Sequence, residues 1–239
     1  MIAKTLMETA GIPTPAYAVA TGRPVRGSER LRYPLVVKPR HESTSYGLRL
    51  VHDYAELDDA VAEISERFRQ DALIEEYIEG REFCLGLLGN SPPTVLPAVE
   101  LDFERRGLRL MTLEDKYHRR TDEPGKICPA PVCDSALREL EQLAVATFEA
   151  CHCRDYARVD IRLDPDGRPW ILEINSMASL GLRGSYVRAA AETGLDLETL
   201  LERIVYSAWS RHTQAARRYA SAASPSRTRA RGGRTPVST

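Results

Sequence analysis

The chain has 239 residues, of which 43% are hydrophobic and 28% are charged, and its formal net charge is −1. This composition is ordinary for a globular protein, and the length is sufficient for one large domain or two smaller lobes. No apolar run approaches the length of a membrane span, and the N-terminus lacks a signal-peptide core. We therefore predict a cytoplasmic protein without membrane contact.

The first 80 residues are expected to form one α+β lobe. In chain order the patterns predict a helix over residues 4–10, strands over 16–20, 35–39 and 48–51, a helix capped by Asp53, and a strand over 72–78. Short apolar runs bounded by Gly and Pro favour strands, and apolar residues spaced by three and four favour helices.

Residues 81–209 are expected to form a second lobe. The patterns predict strands over residues 82–88 and 94–99, short strands and a loop over 104–132, a helix capped by Asp134, a hairpin over 157–176, and helices over 187–192 and 197–209. Strands and helices do not alternate regularly, which favours α+β lobes over a doubly wound sheet.

The C-terminal segment, residues 210–239, is expected to be a disordered basic tail. Residues 211–239 carry seven arginines and no acidic residue, and large apolar groups are scarce. Such a tail could contact nucleic acid or anionic surfaces, but a basic tail of this length is more often a solvated end, so we do not expect a nucleic-acid partner.

The five cysteines are expected to be reduced thiols. Their number is odd, and the chain lacks a secretory signal. Cys128, Cys133 and the pair Cys151 and Cys153 have a spacing that matches no common zinc template, so we do not predict a zinc site.

The hairpin is the most informative segment because its two faces differ in chemistry. If Leu163 pairs with Arg168 across the turn, one face is apolar and packs on a core: Val159, Ile161, Leu163, Trp170, Leu172 and Ile174. The other face carries a different set: Arg158, Asp160, Glu173 and Asn175. Buried carboxylates are costly without a cation between them.

This polar face predicts a hard-metal site. Asp160 and Glu173 would be diagonal cross-strand neighbours, about 7–8 Å apart at the backbone. Mg²⁺ with oxygen ligands at about 2.0–2.1 Å fits between two such side chains, and Asn175 adds a third oxygen. A merely solvated face remains the alternative, although such faces usually mix Lys, Thr, Ser and Glu.

Five ordered segments of residues 1–208 resemble the ATP-grasp superfamily, and within it the D-alanine–D-alanine ligase-like carboxylate–amine ligases. They read KPRHESTSYGL, LIEEYIEGREF, EDKY, CPAP and RVDIRL followed by LEIN. The resemblance implies an α+β ATP-grasp fold in which two lobes grip ATP. It also implies that the α/β domain that usually precedes these lobes is absent, because Met1 falls inside the first ATP-grasp helix.

The resemblance implies a role for each matching position in binding ATP. Lys38 would hold the α- and β-phosphates, and Lys116 the terminal phosphates, with Tyr117 beside the substrate. A loop would fold over the triphosphate with its backbone N–H groups: Ser43, Thr44, Ser45 and Gly47. The adenine and ribose would be held by four residues: Glu75 at the adenine amino group, Glu76 and Ile78 at the adenine edge, and Glu82 at the ribose hydroxyls.

The remaining implied roles concern catalysis. Asp160, Glu173 and Asn175 would hold one or two Mg²⁺ ions, or Mn²⁺, against the phosphates. Arg158 would stabilise the charge that develops during transfer, and Ser185 would bind a substrate carboxylate.

The expected function is ATP-dependent joining of a carboxylate and an amine through an acyl phosphate, as in a D-Ala-D-Ala-like dipeptide. The substrates would be amino acids or peptides. The alternative is an ATP-binding module without turnover of its own, truncated or completed by a partner. That partner would be a second copy or a separate N-terminal domain.

Overall fold

The computed structural model describes residues 2–23, 25–42, 45–103, 109–111 and 124–222, with side chains to residue 213. The strands are β1 (Tyr17–Ala20), β2 (Leu35–Pro39), β3 (Arg49–Val51), β4 (Ala72–Glu76), β5 (Arg81–Leu88), β6 (Thr94–Val95), β7 (Val99–Asp102), β8 (Gly125–Ile127), β9 (Tyr156–Leu163) and β10 (Pro169–Asn175). The helices are α1 (Ile2–Thr9), α2 (Tyr54–Glu63) with a π-turn over Ile64–Phe68, α3 (Asp134–Ala150), α4 (Ser185–Glu192) and α5 (Leu197–Ala222).

Two antiparallel sheets organise the described residues, and this confirms the α+β prediction. The first sheet has the order β1-β4-β2-β3, and the second has β10-β9-β5-β7-β8 with β6 beside β5. One face of the first sheet packs on α2, whose start is capped as predicted because Asp53 accepts the N–H of Glu56. The capping prediction for Asp134 is wrong: Asp134 is the first residue of α3, and Cys133 precedes it without a side-chain cap.

The second sheet packs one face on α3 and α1. Its core side chains include Phe83, Leu85 and Ile161 from the strands, with Leu140 and Phe148 from α3. Met7 and Ile12 also pack in this core, although they precede the first sheet in sequence. The division of the chain at residue 80 remains a prediction.

The hairpin forms where it was predicted, but its register differs from the predicted one. Leu163 pairs with Pro169 and not with Arg168, and the register shifts again between Ile171 and Glu173. Ile171 therefore packs in the core, whereas Leu172 lines the cavity described below, so the core-face prediction for Leu172 is wrong. Trp170 pairs with Arg162 and donates its indole N–H to Asp164, so its core-face prediction is also wrong.

The irregularity at Leu172 is a β-bulge, in which one strand gains a residue relative to its partner. Because of it, Glu173 lies directly opposite Asp160, closer than the diagonal placement that was predicted. None of the helices in the described part of the chain is long and apolar enough to span a membrane.

Candidate active site

A cavity of about 720 Å³ lies between the inner faces of the two sheets. Lys38 and Glu75 line it from the first sheet, and Asp160 and Glu82 line it from the second. Ser185, at the start of α4, lines one end. The cavity therefore gathers nearly all the predicted site residues that the structure describes.

The second sheet presents its cavity residues in cross-strand rows. Asn175 pairs with Arg158, Glu173 pairs with Asp160, and Trp170 pairs with Arg162. Strand β5 extends the last row with Glu82 opposite Arg162. Successive rows on one face of a strand are roughly 7 Å apart, because each residue advances the strand by about 3.3–3.4 Å.

Arg158 and Asp160 form a bidentate ion pair on β9. Nε of Arg158 lies 2.6 Å from Oδ1 of Asp160, and its Nη2 lies 2.7 Å from Oδ2. Burial is the largest single influence and opposes the charge on Arg158, but the acidic groups around it, Asp160 foremost, together outweigh burial and raise the pKa of the guanidinium. This arginine remains charged inside the cavity at every physiological pH.

Among the three predicted metal ligands, Asn175 contacts both of the others. Nδ2 of Asn175 donates to Oδ2 of Asp160 and to Oε1 of Glu173, at 3.0 Å in each case. Two carboxylates and an amide carbonyl form an all-oxygen donor set of the kind that Mg²⁺ prefers. The residues therefore fit the cation, although in the described part of the chain no cluster of three His, Cys, Asp or Glu occurs.

A buried triad spans the first sheet and α1. Nζ of Lys38 lies 2.6 Å from one oxygen of Glu75, and Nζ of Lys4 lies 2.5 Å from the other. Burial opposes the charge on all three groups. The lysines nevertheless lower the pKa of Glu75, and the carboxylates of Glu75 and Glu173 raise the pKa of Lys38. Burial dominates at Lys4 and lowers its pKa.

The next residues of β4 and its linker form the wall predicted for adenine. The Glu76 side chain turns away from Glu75 and pairs with Arg32 at 2.8 Å, while its backbone N–H donates to Ala16. Tyr77 and Ile78 continue along the cavity. The adenine role of Glu75, Glu76 and Ile78 stays a prediction.

Glu82, the residue predicted to bind ribose, is held by Arg162. Nε and Nη2 of Arg162 donate to the same oxygen, Oε2, at 3.0 and 2.8 Å. The guanidinium also donates to the carbonyls of Ile78 and Arg109, and it lies over the ring of Tyr77 at 4.8 Å.

Ser185 owes its position to the close packing of α4 on β5. Tyr186 packs over Gly86 and donates its hydroxyl to the carbonyl of Leu87 at 2.9 Å. A Cβ at Gly86 would lie 3.0 Å from the Tyr186 ring, so the glycine permits this approach. Ser185 therefore lies buried at the first turn of a helix, where backbone N–H groups favour an anion such as a carboxylate.

The phosphate loop is described only in part. Ser45 lines the cavity, and Gly47 has a φ of +77° with no room for a Cβ beside Phe68 and Pro39. Four residues with predicted roles lie outside the described residues: Ser43, Thr44, Lys116 and Tyr117.

Three basic residues that line the cavity were not predicted, Arg162, Lys126 and Arg183, and neither was Lys4, the partner of Glu75. Arg162 had a signal, because it continues the alternation of Arg158 and Asp160 along β9. Lys126 pairs with Leu101, which itself pairs with Glu82, so it ends the same cross-strand row. Lys4 had no local signal, since its partner Glu75 lies far along the chain.

Two facing antiparallel sheets with this cavity between them agree with the ATP-grasp fold that the resemblance implies. The crystal structure of D-alanine–D-alanine ligase from Bacillus anthracis complexed with ATP superposes with a TM-score of 0.73, at 21% identity, over 89% of this chain and 66% of that chain. At this level of identity the similarity establishes the fold.

The family follows from the sequence comparisons. The family described as "D-ala D-ala ligase C-terminus" matches residues 6–206, and the chain belongs to this family. A D-alanine–D-alanine ligase of Alcanivorax borkumensis is 33% identical over 87% of this chain and 64% of its own length. An uncharacterized protein, y4sG, of Sinorhizobium fredii is 46% identical over 89% of this chain and 62% of its own length. The chain thus spans less than two thirds of these relatives.

Proposed function

We propose that this chain is an ATP- and Mg²⁺-dependent carboxylate–amine ligase that forms an amide bond of the D-Ala-D-Ala kind. The observation that most directly supports this proposal is that one cavity is lined by five charged or polar residues: Lys38, Arg158, Asp160, Glu173 and Asn175. Relatives named D-alanine–D-alanine ligase, and a structural neighbour complexed with ATP, support the choice of nucleotide and reaction.

The proposed reaction has two steps. An oxygen of the substrate carboxylate attacks the γ-phosphorus of ATP, the bond to the bridging oxygen breaks, and ADP leaves. The amine nitrogen of the second substrate then attacks the carbon of the acyl phosphate. The C–O bond to the phosphate breaks, inorganic phosphate leaves, and the nitrogen loses a proton.

The residues of the cavity suit these steps through charge and position. Lys38 and Arg158 are cations placed for the anionic phosphoryl group, so they stabilise the charge that develops on it. Asp160, Glu173 and Asn175 would hold Mg²⁺, which neutralises phosphate charge when bound. Ser185 and the first turn of α4 would orient a substrate carboxylate.

The test is ADP release from Mg-ATP with and without D-alanine. We expect amine-dependent release that Asp160→Asn and Glu173→Gln each reduce at least about a hundredfold, because each removes a charge that holds the cation. The matched control is Asp166→Asn, an acidic residue exposed at the turn of the same hairpin; it should behave as the unaltered chain.

The second candidate is an ATP-binding module without turnover of its own, because the charged residues of the cavity suit nucleotide and cation binding by themselves. Its signature is Mg-ATP binding that the same two substitutions weaken, with no amine-dependent turnover. Failure of the unaltered, folded chain to bind Mg-ATP would refute both candidates.

A further inference from the structure

Arg162 is a buried cation in a place where no catalytic role was expected. It is 2% exposed and has the largest side chain among the fully buried residues. Its neighbours Ile161 and Leu163 face the apolar core, so Arg162 faces the cavity, which it lines together with Glu82. A buried ion pair contributes little stability beyond that of apolar residues of similar volume. Stability alone therefore does not explain why an arginine occupies this buried position.

The contacts of Arg162 join the parts of the cavity that would bind a nucleoside. Its Nη1 donates to the carbonyl of Ile78 at 2.6 Å, and its Nε and Nη2 donate to Oε2 of Glu82. Among the bonds between described residues, the other Glu82 oxygen, Oε1, accepts none. Two N–H groups of one guanidinium that converge on Oε2 hold this oxygen more firmly than a single donor can, and they leave Oε1 to another donor.

The location of Arg162 along β9 also fits a nucleoside. The row of Arg162 and Glu82 lies one step, roughly 7 Å, from the row of Asp160, where the cation and phosphates are expected. Tyr77, which the guanidinium overlies at 4.8 Å, flanks the same end of the cavity. Asp160, where the phosphates are expected, and Arg162 thus lie on the same face of β9.

We propose that Arg162 is a positioning residue for nucleotide recognition: it orients Glu82 so that Oε1 accepts from the ribose hydroxyls, and it fixes the Ile78 backbone beside the base. This inference rests on the proposed function, because it takes ATP as the ligand of the cavity. On this proposal, Arg162 is required for the chain to bind a ribonucleotide more tightly than a nucleotide without sugar hydroxyls.

The experiment compares binding of Mg-ATP, Mg-2′,3′-dideoxy-ATP and Mg-tripolyphosphate by calorimetry. The unaltered chain should bind ATP at least about tenfold more tightly than dideoxy-ATP, the effect of one or two hydrogen bonds to a carboxylate. In Arg162→Met this ratio should fall to about twofold or less, with tripolyphosphate affinity unchanged, since only the sugar and base contacts are lost.

Two further variants make the readout specific. Arg162→Lys keeps the charge but lacks the two N–H groups that converge on Oε2, and it should give an intermediate ratio. Arg168→Met, an exposed arginine of the same hairpin, should keep the ratio of the unaltered chain. If Arg162→Met is unstable because Glu82 is left unpaired, Glu82→Gln is compared with the double variant Glu82→Gln with Arg162→Met, which lacks that buried charge. Because Arg162 acts through Glu82, the ratio should be low in Glu82→Gln and should change by less than about twofold when Arg162→Met is added.

The outcomes separate the two proposals. Persistence of the ATP preference in folded Arg162→Met, or in the double variant, would overturn the inference and leave the proposed function standing. If the unaltered folded chain binds neither ATP nor dideoxy-ATP, the proposed function fails, and the role of Arg162 fails with it.

Discussion

The substitution Glu75→Gln should reveal how strongly the buried triad stabilises the fold. Glu75 lies between the ammonium groups of Lys4 and Lys38 at 2.5 and 2.6 Å, and Lys4 and Glu75 are about 95% buried at their side chains. The attraction of each pair is offset in part by desolvation of the charges. Removal of one partner, however, leaves the others uncompensated, at a typical cost of about 3–5 kcal/mol.

Glu76→Gln is the matched control, because Glu76 is the next residue of the same strand and is also paired. Its partner Arg32 is 86% exposed at the side chain, so solvent screens the attraction. We expect Glu76→Gln to lower the free energy of unfolding by less than about 1 kcal/mol. The contrast between the two variants isolates the effect of burying the charges.

Urea unfolding followed by circular dichroism at pH 7 and at pH 10 provides the measurement. The pKa of Lys4 is already lowered by burial, and loss of Glu75 lowers it further, so Lys4 can release its proton at pH 10. The cost of Glu75→Gln should therefore be smaller at pH 10 than at pH 7. Equal costs for Glu75→Gln and Glu76→Gln at pH 7 would refute the reasoning.

The same triad predicts an acid limit of stability. Because the folded pKa of Glu75 is below its ordinary value of 4.5, its contribution is complete above that value and is lost as the pH falls through the lower folded pKa. In Glu75→Gln this part of the acid dependence should disappear. Unfolding free energies from pH 6 down to pH 3 would show it; the same slope in both proteins would contradict the assignment.

Further predictions concern packing and thiol reactivity. Gly86→Ala should cost about 1–3 kcal/mol of unfolding free energy, because the new Cβ lies 3.0 Å from the Tyr186 ring. Gly80→Ala should cost more, since φ is +139° and the Cβ would lie 1.8 Å from a backbone oxygen; a smaller loss than that of Gly86→Ala in thermal unfolding would contradict this. Exposed Cys133 has a lowered pKa, owing to the Ser135 hydroxyl, and should be alkylated first. Cys84, buried with a raised pKa, should react last, as measured by mass spectrometry.

Much of the fold could be predicted from the sequence because local signals decide it. The buried run from Leu35 to Pro39 forms a strand, and Asp53 begins a helix, as their patterns predict. The hairpin itself was also predicted from its turn composition. Its register was not predicted correctly, for two reasons: the turn is one residue longer than expected, so that Leu163 lies opposite Pro169, and the bulge at Leu172 depends on packing across two strands.

The candidate site could likewise be predicted only in part. Asp160, Glu173 and Asn175 do lie together as predicted, but alternation alone does not explain it: the turn and the bulge each displace the predicted pairing by one residue, and the two displacements together leave these side chains on one face. The pairing of Glu75 with Lys4 and of Glu82 with Arg162 joins residues from separate elements. No local pattern predicts such partners; only the folded arrangement of the sheets does.

The bulge at Leu172 also affects how this hairpin should be compared with those of relatives. Residues two apart normally share a face of a strand, yet Ile171 packs in the core and Glu173 lies opposite Asp160, because Leu172 is the extra residue of the bulge. A chain without Leu172 would continue the register of the preceding half of the strand and would still place Glu173 opposite Asp160 and Asn175 opposite Arg158. A one-residue gap at this position of an alignment is therefore compatible with an intact cation site, whereas a gap at a regularly paired position of the strand is not.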